Sequence, residues 1–327
     1  LHLSIRRQRQ MCIRDSVCID KESEIPLTQY EMEWVEKAGL VKIDILGLTT
    51  LSIIKDTLYL IELFEGKKID IYSIPLDDKK TYELFKKGEL LGVFQFESEG
   101  MRKYMIKLKP ESIEDLMAMN ALYRPGPMKF IDTYIERKRD KTKIPSEHPV
   151  LDEILKETYG ILVYQEQVIE IAKRMAKYTP SEADDLRKVI AKKQIEKIPE
   201  HEKKFIEGCE KNGIDRNFAL EIFNRIREFG DYGFNKSHAA AYSLLAYQTA
   251  YLKAHYPIYY MCALLSANVT SHDKLNEYIH EAIRMGIKIL PPDINNSLPY
   301  FIPAGYKRAI GIDDDEIYPP DSILFGL

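Results

Sequence analysis

No apolar run in this chain is long enough to cross a bilayer, and the arginines near its start are not followed by the apolar stretch of a secretory signal. Cysteine is scarce. Cys12, Cys18, Cys209 and Cys262 have neither metal-ligand spacing nor the density of a disulfide framework, so a reduced, cytoplasmic protein is expected. Walker-type glycine loops, zinc patterns and nucleophile elbows are all missing, which removes the enzyme classes that a single motif announces. His255, His272 and His280 have no ligand spacing either. No internal repeat or low-complexity tract suggests a solenoid or a tail. With 47 Lys and Arg against 51 Asp and Glu, no global basic excess marks a nucleic-acid binder; local clusters decide that question.

What remains is a chain of 327 residues, 45% hydrophobic, with enough apolar material for real cores. Apolar spacing predicts helices over Thr49–Phe64, Leu76–Lys87, Ser98–Lys107, Ser112–Leu122, Met128–Arg139, Pro149–Glu157, Gln165–Tyr178, Ser181–Lys193, Lys197–Asn212, Asp215–Phe229, Ser237–Lys253, Pro257–Ala267 and Asp273–Met285. Ser112-Ile-Glu-Asp115 reads as a capping pattern, and Leu91–Phe96 as a short apolar strand or turn. One good strand is expected at Val41–Leu46, where Val41, Ile43 and Ile45 alternate with Lys42 and Asp44. After Gly286 the texture turns to Pro, Asp and Asn, so a domain boundary is expected near Met285.

Both ends read as cuts. Met11-Cys-Ile-Arg-Asp-Ser16 looks like the translation of a transposase-recognised DNA end used in preparing sequencing libraries, so residues 1–16 read as a non-native junction. The last residues, Ser322–Leu327, are an apolar run with no polar tail.

The densest chemistry lies in Gly230-Asp-Tyr-Gly-Phe-Asn-Lys-Ser-His238, which runs into an apolar helix. Its glycines permit backbone angles that other residues resist, and Asn235 or Ser237 can cap the helix. Lys236 and His238 stand beside the helix N-terminus, where free N–H groups attract anions; an ordinary capped loop reads equally from this segment. Asp44 could ligate Mg²⁺ with Lys42 beside it, although one carboxylate makes no two-metal site and a lone strand Asp is commonly just solvated. Arg124, in the rigid turn Arg124-Pro-Gly-Pro127, either aims a guanidinium at phosphate or caps the helix that ends at Leu122. Arg187, Lys188, Lys192, Lys193, Lys197, Lys203 and Lys204 suit phosphate contact, but Glu196, Glu200 and Glu202 interleave them as on a solvated face. The tyrosines, Tyr247 and Tyr251 among them, fit base stacking or core packing.

Several longer motifs, in order, carry a resemblance. They are Leu40-Val-Lys-Ile-Asp-Ile-Leu-Gly-Leu48, Gly92-Val-Phe-Gln-Phe-Glu-Ser98, Ala121-Leu-Tyr-Arg-Pro-Gly-Pro127, Tyr159-Gly-Ile-Leu-Val-Tyr-Gln-Glu-Gln167 and Tyr232-Gly-Phe-Asn-Lys-Ser-His-Ala-Ala-Ala-Tyr242. Lys253–Pro257 and Ile289–Asn295 continue the series. Together they resemble the C-family replicative DNA polymerases, the bacterial polymerase III alpha subunits, over residues 17–327.

The resemblance implies a mainly α fold: a helical fingers domain attached to a remnant of a nucleotidyltransferase-like palm sheet. It implies palm at residues 17–50, fingers at 51–285 and the start of a helix-hairpin-helix and clamp-binding region at 286–327. Asp44 would be the last of three catalytic acids holding two Mg²⁺ ions, with the other two upstream of this chain. Arg124, Arg187, Lys236, Ser237 and His238 would surround the nucleotide, with Lys42 adding charge. Primer–template DNA and deoxynucleoside triphosphates are the implied partners. A sliding clamp and other replicase subunits would bind through regions outside this chain, and no membrane is expected. The fragment alone is expected to be inactive, and a non-catalytic helical module that binds nucleic acid or protein is the alternative.

Overall fold

A computed structural model describes residues 17–43, 45, 47–230, 232–312, 319 and 321–326. The proposed junction at residues 1–16 and the candidate Asp44 therefore lie outside the described residues. The chain divides after Leu48 into two compact units, which are described separately.

The first unit holds a two-stranded antiparallel hairpin, β1 (Val17–Ile19) on β2 (Pro26–Thr28), and a short helix, α1 (Met32–Lys37). The Asp20 carboxylate ties the connecting turn by accepting from Ser23 N at 3.1 Å and Ser23 Oγ at 2.5 Å. The strand expected at Val41–Leu46 is not formed: Val41, Lys42, Ile43 and Ile45 are irregular. Their alternation is real, but no strand among the described residues pairs with them. An unpaired strand leaves its N–H and C=O groups to water and its apolar face uncovered. Val41, Ile43 and Ile45 are accordingly 84%, 77% and 92% exposed. The β1–β2 hairpin is the sheet among the described residues of this unit.

The second unit, Thr49–Leu327, is helical, as expected. It contains α2 (Thr49–Glu65), α3 (Lys79–Lys87), α4 (Glu99–Leu108), α5 (Ile113–Leu122), α6 (Ile131–Arg139), α7 (Pro149–Ile154), α8 (Gln165–Ala176) and α9 (Pro180–Ala191). There follow α10 (Ile198–Lys211), α11 (Arg216–Phe229), α12 (Lys236–His255), α13 (Pro257–Ala267) and α14 (His272–Arg284). Local chemistry sets many boundaries. Asp78 caps α3 by accepting from Thr81 N at 2.7 Å, and Thr179 and Glu182 form a capping box at α9. Asp215 caps α11 by accepting from Asn217 N and Phe218 N.

The Ser112 cap does not form. Ser112 makes no side-chain cap bond, and Asp115 turns back instead to accept from Glu111 N at 2.9 Å. A stronger partner draws it inward: the buried Asp115 carboxylate lies 2.7 Å from Lys138 Nζ. Residues 91–96 are turns, pinned where Tyr260 Oη donates to Gly92 O at 2.6 Å.

Helices α7 to α11 enclose one apolar core, with Leu151, Val168, Ile171, Met175, Leu186, Phe205, Phe223 and Ile226 buried in it. Such side chains contribute roughly 1.5–3 kcal/mol each. The 20-residue helix α12 is buried on most of its circumference and packs along α5, α3, α2 and α13. Tyr247, on that helix, is fully buried and donates to Pro75 O at 2.6 Å, so it is core and not a stacking platform.

Near the far end of α12, the fully buried Lys253 Nζ donates to Glu89 O, Leu91 O and Glu281 Oε1 at 2.9, 2.8 and 2.6 Å. Burial pushes its pKa below the usual lysine range, against the pull of Glu281. Burial alone would raise the Glu281 carboxyl, but bonds from Arg284 and Lys253 outweigh it and hold the group at about 2.

Residues after Met285 do not separate from this unit. β3 (Lys288–Leu290) runs parallel to β5 (Ser322–Leu324), and β4 (Ile302–Pro303) pairs antiparallel to β5. A one-turn helix, α15 (Tyr306–Ala309), lies between β4 and β5. Cys262 Sγ of α13 meets Phe301 O at 3.1 Å, which ties this segment to the helices. Cys18, Cys209 and Cys262 are free thiols, and no described helix is long and apolar enough to span a membrane.

Candidate functional site

The loop from Tyr232 to Asn235 joins α11 to α12, and its path is set by contacts. Gly230 has φ −54, an ordinary helical angle, and Gly233 is not among the glycines with positive φ. Their value is therefore size, not angular freedom. A Cβ at Gly230 would meet Ile190 Cγ2 at 2.1 Å, and one at Gly233 would meet Phe229 Cε1 at 2.7 Å. The loop lies flat on α9 and α11 because neither glycine has a side chain.

Hydrogen bonds then clip the loop to the start of α8. Phe234 N donates to Val163 O at 3.2 Å, and Gln165 N to Phe234 O at 2.8 Å. Gln165 Nε2 donates to Gly233 O at 3.2 Å. Asn235 is the cap of α12, its side chain accepting from His238 N at 2.8 Å.

Arg124 and Lys236 lie at this loop, and Arg187 is linked to it through Gln165. Arg124 donates from Nε to Ala121 O at 2.9 Å and from Nη2 to Tyr232 O at 2.8 Å. It therefore caps the end of α5 and braces the loop together. Its guanidinium carbon lies 4.2 Å from the centre of the Phe234 ring, a cation–π contact. Burial lowers its pKa below the usual arginine value. Arg187 donates twice to Asp184 Oδ1, at 2.9 and 2.8 Å, and from Nη1 to Gln165 Oε1 at 3.3 Å. Lys236 Nζ contacts both Glu157 oxygens, at 2.9 and 2.7 Å. Ser237 and His238 are exposed, and the His238 ring stacks on Tyr242 with centroids 4.0 Å apart.

The helix end itself is not open. Lys236 N donates to Glu166 Oε2 at 2.9 Å, so a carboxylate already occupies the N-terminus expected to receive a phosphate. Side chains, and not bare N–H groups, are what this end presents. Lys42 belongs to the other unit. In the wider lysine cluster, Lys188 meets Asp184 at 2.8 Å, Lys204 meets Glu182 at 2.6 Å and Lys203 meets Glu207 at 4.0 Å. Among the described residues no group of three or more His, Cys, Asp or Glu could hold a metal ion, and Asp44 lies outside them.

Sequence reasoning missed Glu157, Gln165, Glu166 and Phe234. The motif Tyr159–Gln167 contains two of them, but their partners lie far along the chain.

Fold and loop define a mainly helical domain. The family model for the finger domain of the bacterial DNA polymerase III alpha subunit matches residues 50–213, half of the chain, and the chain belongs to that family. It is similar to DNA polymerase III subunit alpha of Bacillus subtilis (strain 168), 46% identical over 285 residues, which is 87% of this chain and 26% of that protein. It is likewise similar to the subunit of Thermus aquaticus, 47% identical over 277 residues, 83% of this chain and 23% of the relative. For Treponema pallidum (strain Nichols) the identity is 49% over 276 residues, covering 84% and 24%. The chain thus spans about a quarter of the length of the curated relatives it matches. The family match ends at residue 213, short of the loop.

Proposed function

We propose that this chain is an interior part of the catalytic subunit of a bacterial replicative DNA polymerase, working in the cytoplasm on template-directed DNA synthesis from deoxynucleoside triphosphates. Residues 17–50 are assigned to the palm, 51–285 to the fingers and 286–327 to the approach to the clamp-binding region. Primer–template DNA, the sliding clamp and other replicase subunits are the proposed partners of the complete protein. Mg²⁺, with Asp44 as one ligand, belongs to that complete enzyme, where it would neutralise charge on the reacting phosphates.

The observation that carries the reading is the gathering of Arg124, Lys236 and, through Gln165, Arg187, remote in sequence, about one loop. A triphosphate is a dense anion whose transfer spreads negative charge over its oxygens. Cations fixed beforehand offset that charge without reorganising at the moment of reaction. Lys236 and His238 flank the loop's exposed edge, Ser237 offers a hydroxyl, Arg124 braces the loop directly and Arg187 through Gln165.

The test is Lys236→Ala in a complete polymerase carrying this segment. The apparent KM for deoxynucleotides should rise about tenfold, with a smaller effect on primer–template affinity. If DNA affinity alone falls, the loop contacts DNA and the binding-module reading replaces this one.

A further inference from the structure

We propose that Gln165 and Glu166, adjacent residues at the start of α8, are the positioning residues of the nucleotide loop. This rests on the reading just given and adds to it the device that sets where the loop's cations stand.

The pair spans the loop with main-chain and side-chain bonds. Gln165 uses all three of its free polar groups: N to Phe234 O at 2.8 Å, Nε2 to Gly233 O at 3.2 Å, and Oε1 from Arg187 Nη1 at 3.3 Å. Glu166 accepts Lys236 N on Oε2 at 2.9 Å and Asn235 Nδ2 on Oε1 at 3.2 Å. Four consecutive residues, Gly233 to Lys236, are thus held by two side chains and one backbone N–H.

Each bond fixes a cation. Gln165 holds Arg187 directly. By setting the Phe234 backbone it also sets the ring on which Arg124 lies. Glu166 fixes the first residue of α12, and with it the root of the Lys236 side chain. Asn235, oriented by Glu166, is the residue that caps α12. Neither Gln165 nor Glu166 needs to touch the nucleotide. Their effect is preorganisation: a loop already in place loses less freedom when an anion arrives. Glu166 also places negative charge beside the proposed anion site, offset by the helix N-terminus that it caps.

The experiment titrates the 327-residue chain with dATP and follows the heat-melting midpoint of each variant. Gln165→Met keeps volume and removes the side-chain bonds; it should weaken dATP binding about tenfold and shift melting by less than about 4 °C. Glu166→Ala should weaken binding comparably, while Glu166→Gln, which keeps an oxygen for Lys236 N and loses the bond from Asn235 Nδ2, should recover most of the affinity. In a Lys236→Ala background, Gln165→Met should cost little more, because the two act through one loop. Unchanged binding in Gln165→Met, strictly additive losses, or a melting fall that tracks the binding loss and persists in Glu166→Gln each overturn the proposal. Should the unaltered chain and Lys236→Ala bind dATP equally or not at all, the nucleotide reading itself fails, and the positioning role falls with it.

Discussion

Glu157 embraces Lys236: both carboxylate oxygens lie within 3 Å of Nζ, at 2.9 and 2.7 Å, across 79 positions of sequence. An anion that recruits Lys236 must compete with this carboxylate.

Glu157→Gln should therefore strengthen triphosphate binding. Both side chains are more than one-third exposed or nearly so, so solvent screens the pair and the gain is about two- to fivefold. Titration with dATP at low and high salt checks this, with the gain shrinking as salt rises. Weaker binding in the variant would show Glu157 to be a support for Lys236 and not its competitor.

The Lys253–Glu281 pair makes a prediction about stability. Lys253→Ala leaves a buried carboxylate short of its partner and should cost about 3–5 kcal/mol in urea unfolding. Glu281 also makes the fold acid-sensitive. Its carboxyl sits at about 2 when folded, against the usual 4.5. A depressed carboxyl stabilises above the unfolded value and loses that contribution as pH falls from 4.5 toward 2. The melting advantage of the parent over Glu281→Gln should hold at neutral pH and fade through this window. A difference that stays constant across the range would remove Glu281 as the source.

Gly230→Ala tests the flat seat of the loop. The new methyl would strike Ile190 Cγ2 at 2.1 Å and approach Ile190 O at 3.1 Å. The expected cost is about 1–3 kcal/mol. Adding Ile190→Ala should recover part of the loop's geometry, read as recovered dATP affinity at equal protein stability. If Gly230→Ala is neutral, the close approach to α9 is not what selects glycine there.

Most helices were legible from apolar spacing because a helix satisfies its own backbone and needs only one face to be covered. The strand at Val41–Leu46 was misread for the complementary reason: alternation identifies a face, whereas a strand also needs a neighbour, and that is not written locally. Asp115 shows a similar limit, since its pull toward Lys138 overrode a cap visible within four residues. At the site, Arg124, Arg187 and Lys236 were named from motifs and resemblance, and the structure brings them to one loop. Their carboxylate and amide partners were hidden because Glu157 and Glu166 meet Lys236 over 79 and 70 positions, distances at which no local pattern speaks.

Helix α12 begins at the Tyr232–Asn235 loop, and near its far end Lys253 is locked between a turn and a neighbouring helix. That makes it a rod about 25 Å long between the two anchors, held at Lys236 by Glu157 and Glu166 and at Lys253 by Glu281. Rigid along its length, it ties the placement of Lys236 to a buried ion pair that never approaches the loop.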